Sequence, residues 1–176
     1  MTRRELEHII GAAARIAEDD DIVVIGSQAI LGQFPDAPPE LSVSVEADVY
    51  PMNRPEHADL IDGSIGELSP FHDTFGYYAK GVGAETATLP DGWKERLVPV
   101  RSERTGGATG WCLEVHDLVI AKLFAGRDKD RRFVEAAARH GLVTRDVLRD
   151  RLAHTRDQHE LYEVVSDRLE HWCRTG

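Results

Sequence analysis

The sequence predicts a mixed α/β core with an α-helical C-terminal part. Three observations carry this. Ile22-Val23-Val24-Ile25 is a short, continuously apolar run, the mark of a strand buried on both faces. Residues 41–50 alternate apolar and polar side chains, the period of a strand. From Asp117 onward the pattern turns helical. A length of 176 residues fits one domain with an appendage. We expect a core over 1–140 and C-terminal helices packed on it over 141–176.

Thr2 followed by Glu5 reads as a capping box. The helix behind it carries Leu6, Ile9, Ile10, Ala13 and Ile16 at helical spacing, and Asp19-Asp20-Asp21 ends it. After the 22–25 strand, Gly26-Ser27 breaks the chain, a short helix covers 28–34, and Pro35-Asp36-Ala37-Pro38-Pro39 forms a rigid loop. Within 41–50, Val43, Val45, Ala47 and Val49 point one way. Ser42, Ser44, Glu46, Asp48 and Tyr50 point the other. Residues 55–61 read as a helix with Pro55 near its start. Strands are expected over 75–80, 97–101 and 111–115, with turn composition between the last two. Asp117 caps a long helix to about Arg139, stopped by Gly141. Thr144 caps the next helix, and 157–173 forms the last.

Composition sets the function classes. Hydrophobic residues make up 41% and charged residues 30%, ordinary for a globular protein. No apolar run is long enough to span a bilayer. The first residues lack a secretory leader's apolar segment, so a cytoplasmic location is expected. Two distant cysteines, Cys112 and Cys173, make neither a disulfide framework nor a four-ligand zinc site. The eight histidines show no metal spacing. A net charge of −10 argues against broad DNA binding. Two basic clusters leave an RNA substrate open: Arg127, Lys129, Arg131 and Arg132, then Arg145, Arg149, Arg151 and Arg156. Both also fit solvated helix faces.

Three blocks carry chemistry. A strand ending in Gly26-Ser27 and opening a helix offers unpaired N–H groups, a close backbone and a hydroxyl to phosphate. Ser is also simply a good helix cap. Glu46 and Asp48 stand two apart on a strand, so both carboxylates leave one face. They repel each other unless a cation intervenes, and magnesium accepts such a pair together with substrate phosphates. Charges guarding a strand edge are the alternative. On the 117–139 helix, Lys122, Gly126 and Asp130 are four apart and share a face, with Arg127 beside them. The alternative there is an amphipathic helix with internal ion pairs.

These blocks, Gly26-Ser27, Glu46-x-Asp48 and Asp117-x4-Lys122-x4-Arg127-x2-Asp130, resemble the AbiEii/MenT-like branch of the DNA polymerase β-type nucleotidyltransferases. So do Gly26-Ser-Gln-Ala-Ile-Leu, Glu46-Ala-Asp-Val-Tyr-Pro, Thr88-Leu-Pro-Asp-Gly-Trp and Leu113-Glu-Val-His-Asp-Leu. The resemblance covers roughly 22–134. It implies a nucleotidyltransferase-type mixed sheet flanked by helices. It also implies transfer of NMP from an NTP, with Mg2+ or Mn2+, to an RNA such as tRNA or to a protein. Relatives act as toxins of bacterial toxin–antitoxin or phage-defence pairs, so a cognate antitoxin is an expected partner. Carried over, Gly26 and Ser27 hold the triphosphate and Glu46 and Asp48 bind metal. Lys122 contacts phosphate with Arg127 nearby, and Asp130 is the late acidic residue. Lys80-Gly-Val-Gly83 matches the family's Lys-x-x-Gly block.

Two departures stand out. Glu46 occupies a place where the superfamily usually has Asp, and the third catalytic carboxylate is not evident. Glu114, facing away from Trp111, Leu113 and Val115 on an expected strand, is a candidate. A catalytically weak protein that binds nucleotide or a partner is therefore the second reading. The apolar stripe Leu148, Leu152, Leu161, Val164, Val165, Leu169 and Trp172 is core on one reading and a partner interface on another.

Overall fold

A computed structural model describes residues 1–155 and 159–174. The chain divides into two compact units. The first comprises Met1–Thr86 and Leu97–Leu113, the second Ala87–Arg96 and the chain from Glu114 onward.

The first unit opens with helix α1 (Arg3–Ala17), closed at its start by the expected capping box. The Thr2 hydroxyl accepts from the Glu5 N–H, and the Glu5 carboxylate accepts from the Thr2 N–H at 2.7 Å. Leu6, Ile9, Ile10 and Ala13 are buried, as helical spacing requires. Strand β1 (Asp21–Val24) follows, then a 3-10 turn at Ser27–Ala29 and helix α2 (Ile30–Gln33). Strand β2 (Glu46–Pro51) leads to helix α3 (Ala58–Ile65), helix α4 (Pro70–Phe75) and strand β3 (Tyr78–Gly81). Strands β4 (Val98–Val100) and β5 (Thr109–Cys112) complete a five-stranded sheet in the order β3-β2-β1-β5-β4. The sheet is mixed: β1 runs antiparallel to β2 and parallel to β5, β2 runs parallel to β3, and β4 runs antiparallel to β5. Central β1 pairs on both sides, and Ile22, Val23 and Val24 are buried, as its continuous apolar run foretells.

Three expectations for this unit are corrected. The strand expected over 41–50 begins at Glu46, because β3 offers a ladder only from Tyr78 opposite Glu46 onward. Before that point the Tyr78 N–H still bonds to the Val45 carbonyl at 3.0 Å, but the ladder stops there, and Val43 and Val45 are 74% and 46% exposed. The segment is held instead by the Met1 ammonium, which donates to the carbonyls of Ser42 and Ser44. The strand expected from residue 75 starts at Tyr78, since Phe75 ends α4, a helix begun by Pro70 and capped by Ser69. The strand expected over 111–115 ends at Cys112, and Val115 already opens the next helix.

The second unit holds helices α5 (Val115–Ala125), α6 (Asp128–Arg139), α7 (Arg145–Ala153) and α8 (His159–Trp172). The single helix expected over 117–139 is two helices. Gly126 stands at φ +66°, its N–H bonded to the Lys122 carbonyl at 3.0 Å, and this left-handed residue ends α5. The Arg168 guanidinium donates to the carbonyls of Leu123 (2.7 Å) and Phe124 (3.3 Å), serving the last turn of α5. The cap of α5 is Glu114, not Asp117. Leu148, Leu152, Val165 and Leu169 are buried, while Leu161 and Val164 are each 45% exposed. Arg156 and the expected helix start at Asp157 lie outside the described residues. No described helix is long and apolar enough to cross a membrane.

Candidate active site

In the first unit β1 delivers the chain to Gly26-Ser27, and β2 runs beside it in the opposite direction. The Ile25 N–H bonds to the Asp48 carbonyl at 3.1 Å. Gly26 has an extended backbone at φ −83°, so rotation alone does not demand glycine there. Space does: a Cβ on Gly26 would overlap the Asp48 carboxylate. The Gly-Ser turn and the second carboxylate are thus neighbours, as the first two sequence blocks need.

Glu46 and Asp48 alternate with Ala47 and Val49, which are fully buried, so both carboxylates leave the opposite face of β2 half-exposed. In register with them on β3 are Tyr78, opposite Glu46, and Lys80, opposite Asp48. Cross-strand partners share a face, so an exposed ammonium stands on the carboxylate face beside Asp48. The Tyr78 hydroxyl donates to Glu46 Oε2 at 2.9 Å. Burial, with the Glu46 hydrogen bond and charge behind it, pushes the Tyr78 phenol up to about 12. Tyr78 therefore remains a donor across the neutral range.

The remaining predicted residues lie in the second unit. Lys122 and Asp130 come together across the α5–α6 break rather than along one helix. The Lys122 ammonium is 3.3 Å from Asp130 Oδ1 and 4.4 Å from the centre of the Phe133 ring. Arg127 donates to Asp130 through Nε at 2.6 Å and through its second terminal nitrogen at 3.2 Å. Burial alone would raise the Asp130 carboxyl, but Arg127 and Lys122 outweigh it and hold it below its ordinary range. Lys122 and Asp130 are both buried, and each faces the other.

Glu114 is not on a strand. Its carboxylate caps α5, accepting from the His116 N–H at 3.0 Å and from His116 Nδ1 at 2.8 Å. His116 Nε2 in turn accepts from the Thr144 N–H at 3.1 Å, which fixes the proton on Nδ1. Asp117, fully buried, is held by Arg96 at 2.8 and 3.0 Å, with Arg151 at 3.3 Å. Glu114 thus serves a helix cap, and Asp117 an ion-pair cluster that ties α5 to Arg96 and to α7.

Two residues escaped the sequence reading. Tyr78 is one, because its bond to Glu46 depends on strand register. Gln28 is the other. It follows Ser27 directly, is fully buried, and neither of its amide atoms has a hydrogen-bond partner among the described residues. A polar residue behind Gly-Ser on a short helix was its only signal.

No curated protein and no solved structure matches the chain. A family model described as "nucleotidyltransferase of unknown function" (DUF6036) matches residues 4–171, nearly the whole chain and all three blocks. With a mixed sheet that sets a Gly-Ser turn against a strand carboxylate, the chain belongs to this nucleotidyltransferase family.

Proposed function

We propose that the protein is a metal-dependent nucleotidyltransferase that moves NMP from an NTP to an RNA or protein acceptor. The observation that supports this is the packing of the Asp48 carboxylate on Gly26, which brings the Gly26-Ser27 turn beside a carboxylate of β2. The donor set suits magnesium or manganese, which take one or two carboxylates and leave the remaining positions to phosphate and water. Among the described residues no cluster of three or more His, Cys, Asp or Glu offers a fuller protein cage. A cation held by Glu46 and Asp48 would neutralise the triphosphate and the departing pyrophosphate. Gly26 and Ser27 bind phosphate oxygens, and Lys80 adds a positive charge on the same face. An AbiEii/MenT-like role, as the toxin of a toxin–antitoxin or defence pair acting on tRNA, is the specific form we favour.

The test is incubation with each labelled NTP, magnesium, and total tRNA or lysate. Label transfer that Asp48→Ala abolishes is the expected result. No transfer from any of the four nucleotides would overturn the proposal. A second reading, nucleotide binding without turnover, is favoured by one observation. The positions on β3 opposite the carboxylate pair are Tyr78 and Lys80, so that strand supplies no third carboxylate there. Calorimetry showing NTP binding dependent on Ser27, with no transfer, would select it.

A further inference from the structure

We propose that Tyr78 is a positioning residue for the cation site, acting by fixing one oxygen of Glu46. The inference rests on the reading of Glu46 and Asp48 as metal ligands. Three observations support it. Strand register places Tyr78 directly opposite Glu46, so the pair is built into the sheet and does not depend on a loop. The phenol donates to Oε2 at 2.9 Å. Tyr78 is 9% exposed, and its ring lies 4.6 Å from that of His72, so the hydroxyl is held where Glu46 needs it.

The chemistry explains the departure at Glu46. A glutamate has one more rotatable bond than an aspartate, and that freedom must be lost when a cation binds. A hydrogen bond to Oε2 removes it beforehand and leaves the second oxygen for the cation. The donor also polarises the carboxylate without competing for the metal, as outer-shell partners of metal ligands do. Tyr78 and Glu46 thus work as one unit, the hydroxyl taking up the length of the longer side chain.

The test uses manganese as the probe, with free Mn2+ read by electron paramagnetic resonance against the purified full chain. Wild type is expected to bind and Asp48→Asn to lose binding. Tyr78→Phe is expected to weaken binding by about tenfold with the fold retained by circular dichroism. In a Glu46→Gln background, Tyr78→Phe should change the remaining affinity no further. Tyr78→Phe within about twofold of wild type, with Asp48→Asn null, overturns the inference and leaves the metal reading standing. A wild type that binds no Mn2+ overturns both. Should Tyr78→Phe fail to fold, Tyr78→Leu decides by the same limit of about twofold, since it removes the donor and leaves the Glu46 carboxylate intact.

Discussion

Lys122 and Asp130 carry opposite charges in a buried place, and their removal is not symmetric. Asp130 is engaged by two cations, Lys122 at 3.3 Å and Arg127 at 2.6 Å. Replacing Lys122 with methionine keeps an apolar stem against Phe133 and leaves Asp130 its Arg127 pair. Replacing Asp130 with asparagine instead removes one carboxylate from two cations at once. Removing one partner of a buried pair costs about 3–5 kcal/mol, and less where the remaining charge keeps a second partner, as Asp130 keeps Arg127. Asp130→Asn is therefore expected to destabilise by about 3 kcal/mol or more, and Lys122→Met by less than Asp130→Asn, in urea unfolding. Equal losses would show that the pair acts as a symmetric unit. The same variants bear on the role that family resemblance gives Lys122. A phosphate-contacting lysine would lose NTP affinity on Lys122→Met while the protein remains folded.

Helices α5 and α6 exist as separate elements because of one residue. Gly126 sits at φ +66°, where an L side chain meets its own backbone at a cost of about 1–2 kcal/mol. A Cβ there would also collide with the Arg168 guanidinium, the group that serves the last carbonyls of α5. Gly126→Ala is thus expected to lower stability by about 1–3 kcal/mol, from strain and a displaced cap together. Combining it with Arg168→Ala should cost less than the sum of the two, measured by a double-mutant cycle. Strict additivity would mean that Arg168 moves aside freely. This break was hidden in the sequence, because a lone glycine at helical spacing reads equally well as a tolerated residue. The same holds at the start of β2. Val43 and Val45 continue the alternation of Ala47 and Val49, and only the length of β3 decides where pairing begins. What was legible was local: the Thr2–Glu5 box, the β1 run, the Gly26-Ser27 break and the two-apart carboxylates. Tyr78 was not, since it lies 32 residues from the Glu46 it holds.

Across the whole molecule, 31 acidic residues against 21 basic ones make self-repulsion the background at neutral pH. Mild acidification relieves it, so any loss of stability in acid must come from carboxylates that the fold uses in charged form. Asp19 is one of these. It accepts from the Asp21 N–H (3.1 Å), the Asn53 N–H (2.7 Å), the Asn53 amide (2.9 Å) and the Arg54 N–H (3.2 Å). It thereby joins the end of α1, the start of β1 and the chain after β2. Burial pushes the Asp19 carboxyl up, but these hydrogen bonds outweigh it and hold it below its ordinary 3.8. Asp130 and Glu114 are held low in the same sense, while burial raises Asp117 in spite of Arg96 and Arg151. A depressed carboxyl is protonated first in the unfolded chain. Its contribution is therefore complete above the unfolded value and is lost as pH falls through the folded one. Asp19→Asn cannot titrate, so it isolates one share of this behaviour. The variant is expected to be less stable than wild type by a constant amount above about pH 5. The gap should begin to close as pH falls to the ordinary 3.8, where the unfolded chain takes up the proton, and finish below it as folded Asp19 is protonated. Urea unfolding of both proteins from neutral pH to about pH 2.5 gives the difference curve. A gap unchanged across that range would mean that Asp19 anchors the three segments by shape rather than by charge.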